Sequence, residues 1–225
     1  MSRFRKLVED IINKGLLNVD DAIQANEFAT EILRDFFRQY NTFIRQLILN
    51  ANDSITLNIN GIIINLVIDG TYYGAFNSRT KEITLHFIGP LGLLKIDLIE
   101  DRLRHELIHY YDDVIMKKAL NKNYKNIDDI HKNPEAYTKS DIEVSAFYPG
   151  ICAFVYRMIL YYLKQASVNN WKKQSLEVYV KEALNSLQQI KANPLNIYIR
   201  YYNNKEKSIL YNNIYKYISK VLPGV

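Results

Sequence analysis

The sequence predicts an α+β fold. A small, mostly antiparallel sheet is expected to pack on a helix carrying His105-Glu106-Leu107-Ile108-His109 and on a second helix carrying Glu143, with a helical extension at the C-terminus. Three observations predict it. Between Ser54 and Ile88 apolar residues alternate or run in short β-branched stretches, punctuated by Asn60-Gly61 and Asp69-Gly70. From Ile96 the apolar period becomes helical, and it is helical again from Ser140 onward. Chemistry-bearing residues concentrate where the two patterns meet.

Composition bounds the possibilities. A chain of 225 residues, 48% hydrophobic and 24% charged, has the material for one folded domain and an extension, read here as residues 1–165 and 166–225. The only cysteine, Cys152, excludes an internal disulfide and a cysteine-rich zinc cluster. The basic start Met1-Ser2-Arg3-Phe4-Arg5-Lys6 is followed by Glu9 and Asp10 rather than an apolar core, and no window reads as a membrane span. A cytoplasmic location without a membrane partner is the expectation.

In chain order, residues 3–14 read as a short amphipathic helix closed by Gly15. Asp20 is a plausible cap for a longer helix, with Ala22, Ala25, Ala29, Ile32, Leu33 and Phe36 at helical spacing. Phe43 to Leu49 fits either a continuation or a first strand. Ile55–Ile59 and Ile62–Ile68 form a hairpin about Asn60-Gly61, and Tyr72–Phe76 with Glu82–Ile88 form a second pair about Asn77-Ser78-Arg79-Thr80. The HExxH helix is expected from Ile96 to Leu120, then a polar loop through Pro134. Ser140 opens a helix that Pro149-Gly150 should kink or interrupt, and two further helices centre on Leu176–Ile190 and Leu210–Val221.

The HExxH stretch carries the function. Residues four apart share a helix face, so His105 and His109 can offer two imidazole nitrogens to one Zn2+ ion, with Glu106 in reach of its water. Leu103, Leu107, Tyr110 and Val114 form an apolar stripe, while His105, His109 and Asp112 fall on the other side. A catalytic zinc site uses three protein ligands and keeps one position for water, so a third must come from elsewhere. Asp112 and Ile115 stand where a metzincin has glycine and histidine, which excludes that pattern. Glu143, 34 residues after His109, is the chosen third ligand, with Glu135 and His131 as substitutes. Small residues at Ala146 and Gly150 on the same face would allow close approach to the HExxH helix. Ser140 to Glu143 also fits a capping box, which would occupy Glu143 structurally.

With HExxH on one helix and Glu143-x-x-Ala146 on the next, the chain resembles a zincin metallopeptidase of the gluzincin type over residues 54–160, weakly like the ImmA/IrrE peptidases and phage-encoded zincins. The resemblance implies a zincin-like fold, zinc-dependent hydrolysis of a protein or peptide substrate with Glu106 as general base, and a Tyr or His donor to the oxyanion. Tyr148 and His131 are the candidates for that donor, with Tyr137 as another. It is also compatible with a viral or phage origin. A thermolysin-like site has an aspartate where Phe147 stands, so Asp112 becomes the candidate partner of His105. A substrate would lie along an edge strand, either Tyr73–Phe76 or Thr84–His86, and His86 itself reads as an ordinary strand histidine. The alternative function is a non-catalytic zincin scaffold that binds protein or assembles into a particle.

Charge is unevenly placed, at −2 over residues 1–163 and +7 over 164–225. Six tyrosines from Tyr198 to Tyr217 accompany the positive end. Nucleic-acid binding lacks a motif and is not expected. The amphipathic spacing of Leu210, Ile214, Tyr217, Ile218 and Val221 favours ordinary amphipathic helices half buried against the zincin body, a docking or assembly segment that could also meet a protein assembly partner.

Overall fold

A computed structural model describes residues 18–49, 53–71, 73–89, 95–118, 140–172, 174–190 and 194–223. The helix expected over residues 3–14 lies outside them. The chain forms two compact units, Ala25–Ala119 and the remainder, Met1–Gln24 with Leu120–Val225.

Helix α1 (Val19–Leu49) takes in the segment that the sequence left open at Phe43–Leu49. Its cap is Asn18 rather than Asp20, with the Asn18 side chain accepting from the Asp20 and Asp21 amides at 2.8 and 3.2 Å. Asp20 and Asp21 instead put negative charge in the first turn, where the helix dipole favours it. Ala25, Ala29, Ile32, Leu33, Phe36 and Tyr40 form the buried stripe, and the Phe36 ring contacts those of Phe37, Tyr40 and Phe43.

Four strands follow: β1 (Ser54–Ile59), β2 (Ile62–Ile68), β3 (Gly74–Asn77) and β4 (Glu82–Phe87). Asn60 at φ 52° and Gly61 at φ 85° make the two-residue turn joining β1 to β2, as the Asn-Gly pair predicts. The β3–β4 hairpin is also as expected, its turn held by the Asn77 side chain accepting from the Arg79 and Thr80 amides. The spatial order is β1-β2-β4-β3, and β2 pairs with β4 in parallel, Ile63 opposite Glu82. β3 is therefore an edge and β4 an interior strand, which removes Thr84–His86 as an edge. Leu57, Ile59, Ile62, Ile64, Leu66, Ile83, Leu85 and Phe87 cover one buried face.

Helix α2 (Ile96–Tyr110) carries the HExxH stretch and continues as one π-helical turn, Tyr111–Ile115, with the Met116 amide donating to the Tyr111 carbonyl at 2.9 Å. The helix does not reach Leu120 as expected: Lys117 turns left-handed at φ 50° and ends it. Both neighbouring acids of the π turn are paired, Asp112 with Lys118 at 2.8 Å and Asp113 with Lys81 of the β3–β4 turn at 2.6 Å.

The second unit is helical: α3 (Asp141–Val168), α4 (Leu176–Gln189), α5 (Pro194–Arg200) and α6 (Asn204–Val221). Pro149 does not interrupt α3, which is assigned as one helix through it. A proline removes one backbone hydrogen bond at a cost of about 3 kcal/mol, and the burial of Val144, Phe147, Ile151, Val155 and Ile159 offsets it. Gly150 serves α5: a methyl group there would stand 3.1 Å from Leu195 Cδ2. The small residue thus admits Leu195. Asn203 and Glu206 form a reciprocal capping box at the start of α6. Leu176, Tyr179, Val180, Ala183, Leu187, Leu210, Ile214 and Ile218 join α3 in a single core.

By length and composition α3 could cross a membrane, which the sequence reading did not anticipate. However, 72% of its most apolar window is buried inside the protein, as in a core helix.

Candidate metal centre

His105, Glu106 and His109 all lie on α2 within its longest buried run, Asp101 to His109. The amphipathic split expected of this helix is therefore only half right. Leu103 and Leu107 are fully buried as expected, but the polar side is buried too: His105, Glu106 and His109 are 7%, 5% and 7% exposed. Burial of so many polar groups is sustained by pairing. Arg104, on a side of its own, donates to Glu100 at 2.9 Å, Thr30 Oγ1 at 3.0 Å and Asn26 Oδ1 at 3.3 Å, tying α2 to α1.

The helical spacing brings the two imidazoles together. His105 Nε2 and His109 Nε2 are 3.0 Å apart, with the rings nearly perpendicular. Two nitrogens bound to one tetrahedral zinc at about 2.0–2.1 Å stand roughly 3.3 Å apart. The pair is thus close to the bite of a shared ion. Glu143 is buried in the first turn of α3. One ligand atom each from His105, His109 and Glu143 lie within 4.8 Å of one another, so these three buried residues could hold a metal ion. Two imidazoles and a carboxylate are a donor set that fits zinc. The competing use of Glu143 lacks its counterpart, because the Ser140 hydroxyl makes no capping hydrogen bond.

The sheet contributes a residue that sequence reading missed. At Gly74, the first residue of β3, a Cβ atom would fall 2.8 Å from Arg102 Cγ, 2.9 Å from Glu106 Oε1 and 3.0 Å from Glu106 Cγ. The edge strand thus runs directly against the residue beside the two histidines. A glycine inside a strand pattern is the available signal for so close an approach.

Tyr148 is buried in the helical core and donates to the Asn213 carbonyl at 3.1 Å, and burial, with Cys152 beside it, raises its pKa far above the ordinary tyrosine value. Its hydroxyl is engaged within the helical unit. His131, Glu135 and Tyr137 lie outside the described residues. Asp112 is buried in the π turn with Lys118. His86 is a strand residue: its Nδ1 is 2.6 Å from Asp69 Oδ2, and its ring stacks on Tyr73 at 4.0 Å.

No protein family, curated protein or solved structure matches this chain.

Proposed function

We propose that the protein is a zinc-dependent metallopeptidase of the gluzincin kind, with His105, His109 and Glu143 as ligands and Glu106 as general base. The observation that carries this reading is the convergence of those three buried side chains on one position, with Glu106 next in the chain to the first. Zinc held there would act as a Lewis acid on the scissile carbonyl and lower the pKa of water towards about 7.

The chain's own residues account for the other requirements. Glu106 would take a proton from the attacking water and return it to the leaving amine. Hydrolysis needs a general base at this point and a purely structural zinc site does not, which favours catalysis over the scaffold alternative. β3, as an edge strand, has backbone groups on its outer side that an extended peptide could pair with. Gly74 brings that edge against Glu106. A peptide added there would lie across the general base.

Two measurements test the proposal. The purified protein should carry about one zinc per chain, and His109→Ala should lose most of it. Glu106→Gln should keep the zinc and lose roughly 10²-fold or more of peptidase activity on a broad peptide library. Full zinc in His109→Ala would exclude the site. Zinc binding without peptidase activity in the unsubstituted protein would leave the scaffold reading.

A further inference from the structure

The helical unit presents a surface that its own packing does not use. On the C-terminal half of α3, Leu160, Tyr161 and Val168 are 40%, 54% and 71% exposed, and Trp171 just beyond the helix is 64% exposed. At about 100° per residue, Leu160, Tyr161, Lys164 and Val168 fall on one side of the helix, whereas Ile159 and Ala166 point into the core. The chain then turns at Asn170, φ 54°, and the Trp171 amide donates to the Ala166 carbonyl at 2.9 Å, closing the turn. Trp171 is thereby held at the end of the exposed side.

Charge identifies what would cover it. No carboxylate occurs between Glu143 and Glu177, while Lys164 and Lys172 lie exposed among the apolar residues. The surface is a helix side and the turn that ends it. Leu and Val supply apolar bulk, Trp and Tyr suit the headgroup level of a bilayer, and lysines suit anionic lipid.

We propose that this surface docks the protein on a bilayer containing anionic phospholipid. Helix α3 remains in the protein core and does not insert. The inference is independent of the metal centre.

Trp171 is the only tryptophan, so its fluorescence reports on the surface directly. Vesicles of phosphatidylcholine mixed with phosphatidylserine should shift its emission to the blue, and brominated lipid should quench it. Pure phosphatidylcholine should do neither. Replacing Lys164 and Lys172 by Gln should weaken binding by about fivefold each. Val168→Asp should remove the blue shift. These positions are exposed, and an unchanged thermal midpoint verifies that each variant is folded. No response to anionic vesicles would overturn the proposal, as would equal binding to neutral ones. So would a response confined to single-stranded nucleic acid or to an acidic protein.

Discussion

Gly74 lies against Glu106 with no room for a side chain: its missing Cβ would stand 2.9 Å from Glu106 Oε1. This contact joins the edge strand to the HExxH helix at the residue proposed to move protons, and Arg102, one helical turn before Glu106, closes the other side of the same space.

Gly74→Ala should therefore disturb both packing and chemistry. Overpacking of this size costs about 1–3 kcal/mol, so the denaturation midpoint should fall. Glu106 can yield only by leaving its position, so peptidase activity should fall by more than zinc content does. Unchanged midpoint and activity would mean that the strand gives way freely at this point.

Glu143 has two possible roles that a single variant separates. As a capping residue, its replacement by Ala would cost about 1 kcal/mol and leave metal affinity almost intact. As a ligand, its loss should weaken zinc binding by more than the about 10–100-fold typical of a supporting hydrogen-bond partner. We expect the second result, measured by competition with a chromophoric chelator. Normal zinc affinity would return Glu143 to the helix terminus.

Asp69 supplies a dependence on pH. The Thr71 hydroxyl above all, helped by His86 and the Thr71 amide and opposed by burial, lowers its carboxyl from 3.8 to about 2. A depressed carboxylate contributes stability that is present above the unfolded value and is lost as pH falls through the folded one. The contribution should accordingly disappear between about pH 4 and pH 2. Asp69→Asn should flatten the midpoint-versus-pH curve in that window, measured by denaturant titration. A curve identical to that of the unsubstituted protein would remove Asp69 from the acid response.

Features set by neighbours in the chain could be read from the sequence. Asn60-Gly61 marked its turn because only left-handed backbone fits there, and His105 and His109 converge because an α-helix repeats near four residues. Features set by distant partners were harder to see. The parallel seam of β2 and β4 leaves no turn signature, although the run Ile62–Ile68, apolar except at Asn65, is the composition of an interior strand. The π turn differs from an α-turn by one hydrogen-bond step and has no compositional mark. Arginines such as Arg102 and Arg104 are ordinarily exposed and nothing local marks them otherwise; only the tertiary pairing of Arg104 with α1 shows how such a charge can be buried. Asp20 lost the cap to Asn18 because both are good capping residues, two positions apart.

The sheet order also bears on how the chain folds. Its longest-range pairing, the parallel seam, joins residues offset by only 19, and all four strands come from Ser54–Phe87. Loop-closure entropy grows with the length of chain enclosed, so the whole sheet can assemble at little entropic cost before any distant helix is recruited. Two local hairpins zipped along one seam would give the HExxH helix a preformed floor to condense on. The strand edge that meets Glu106 would then be among the first surfaces of this protein to exist.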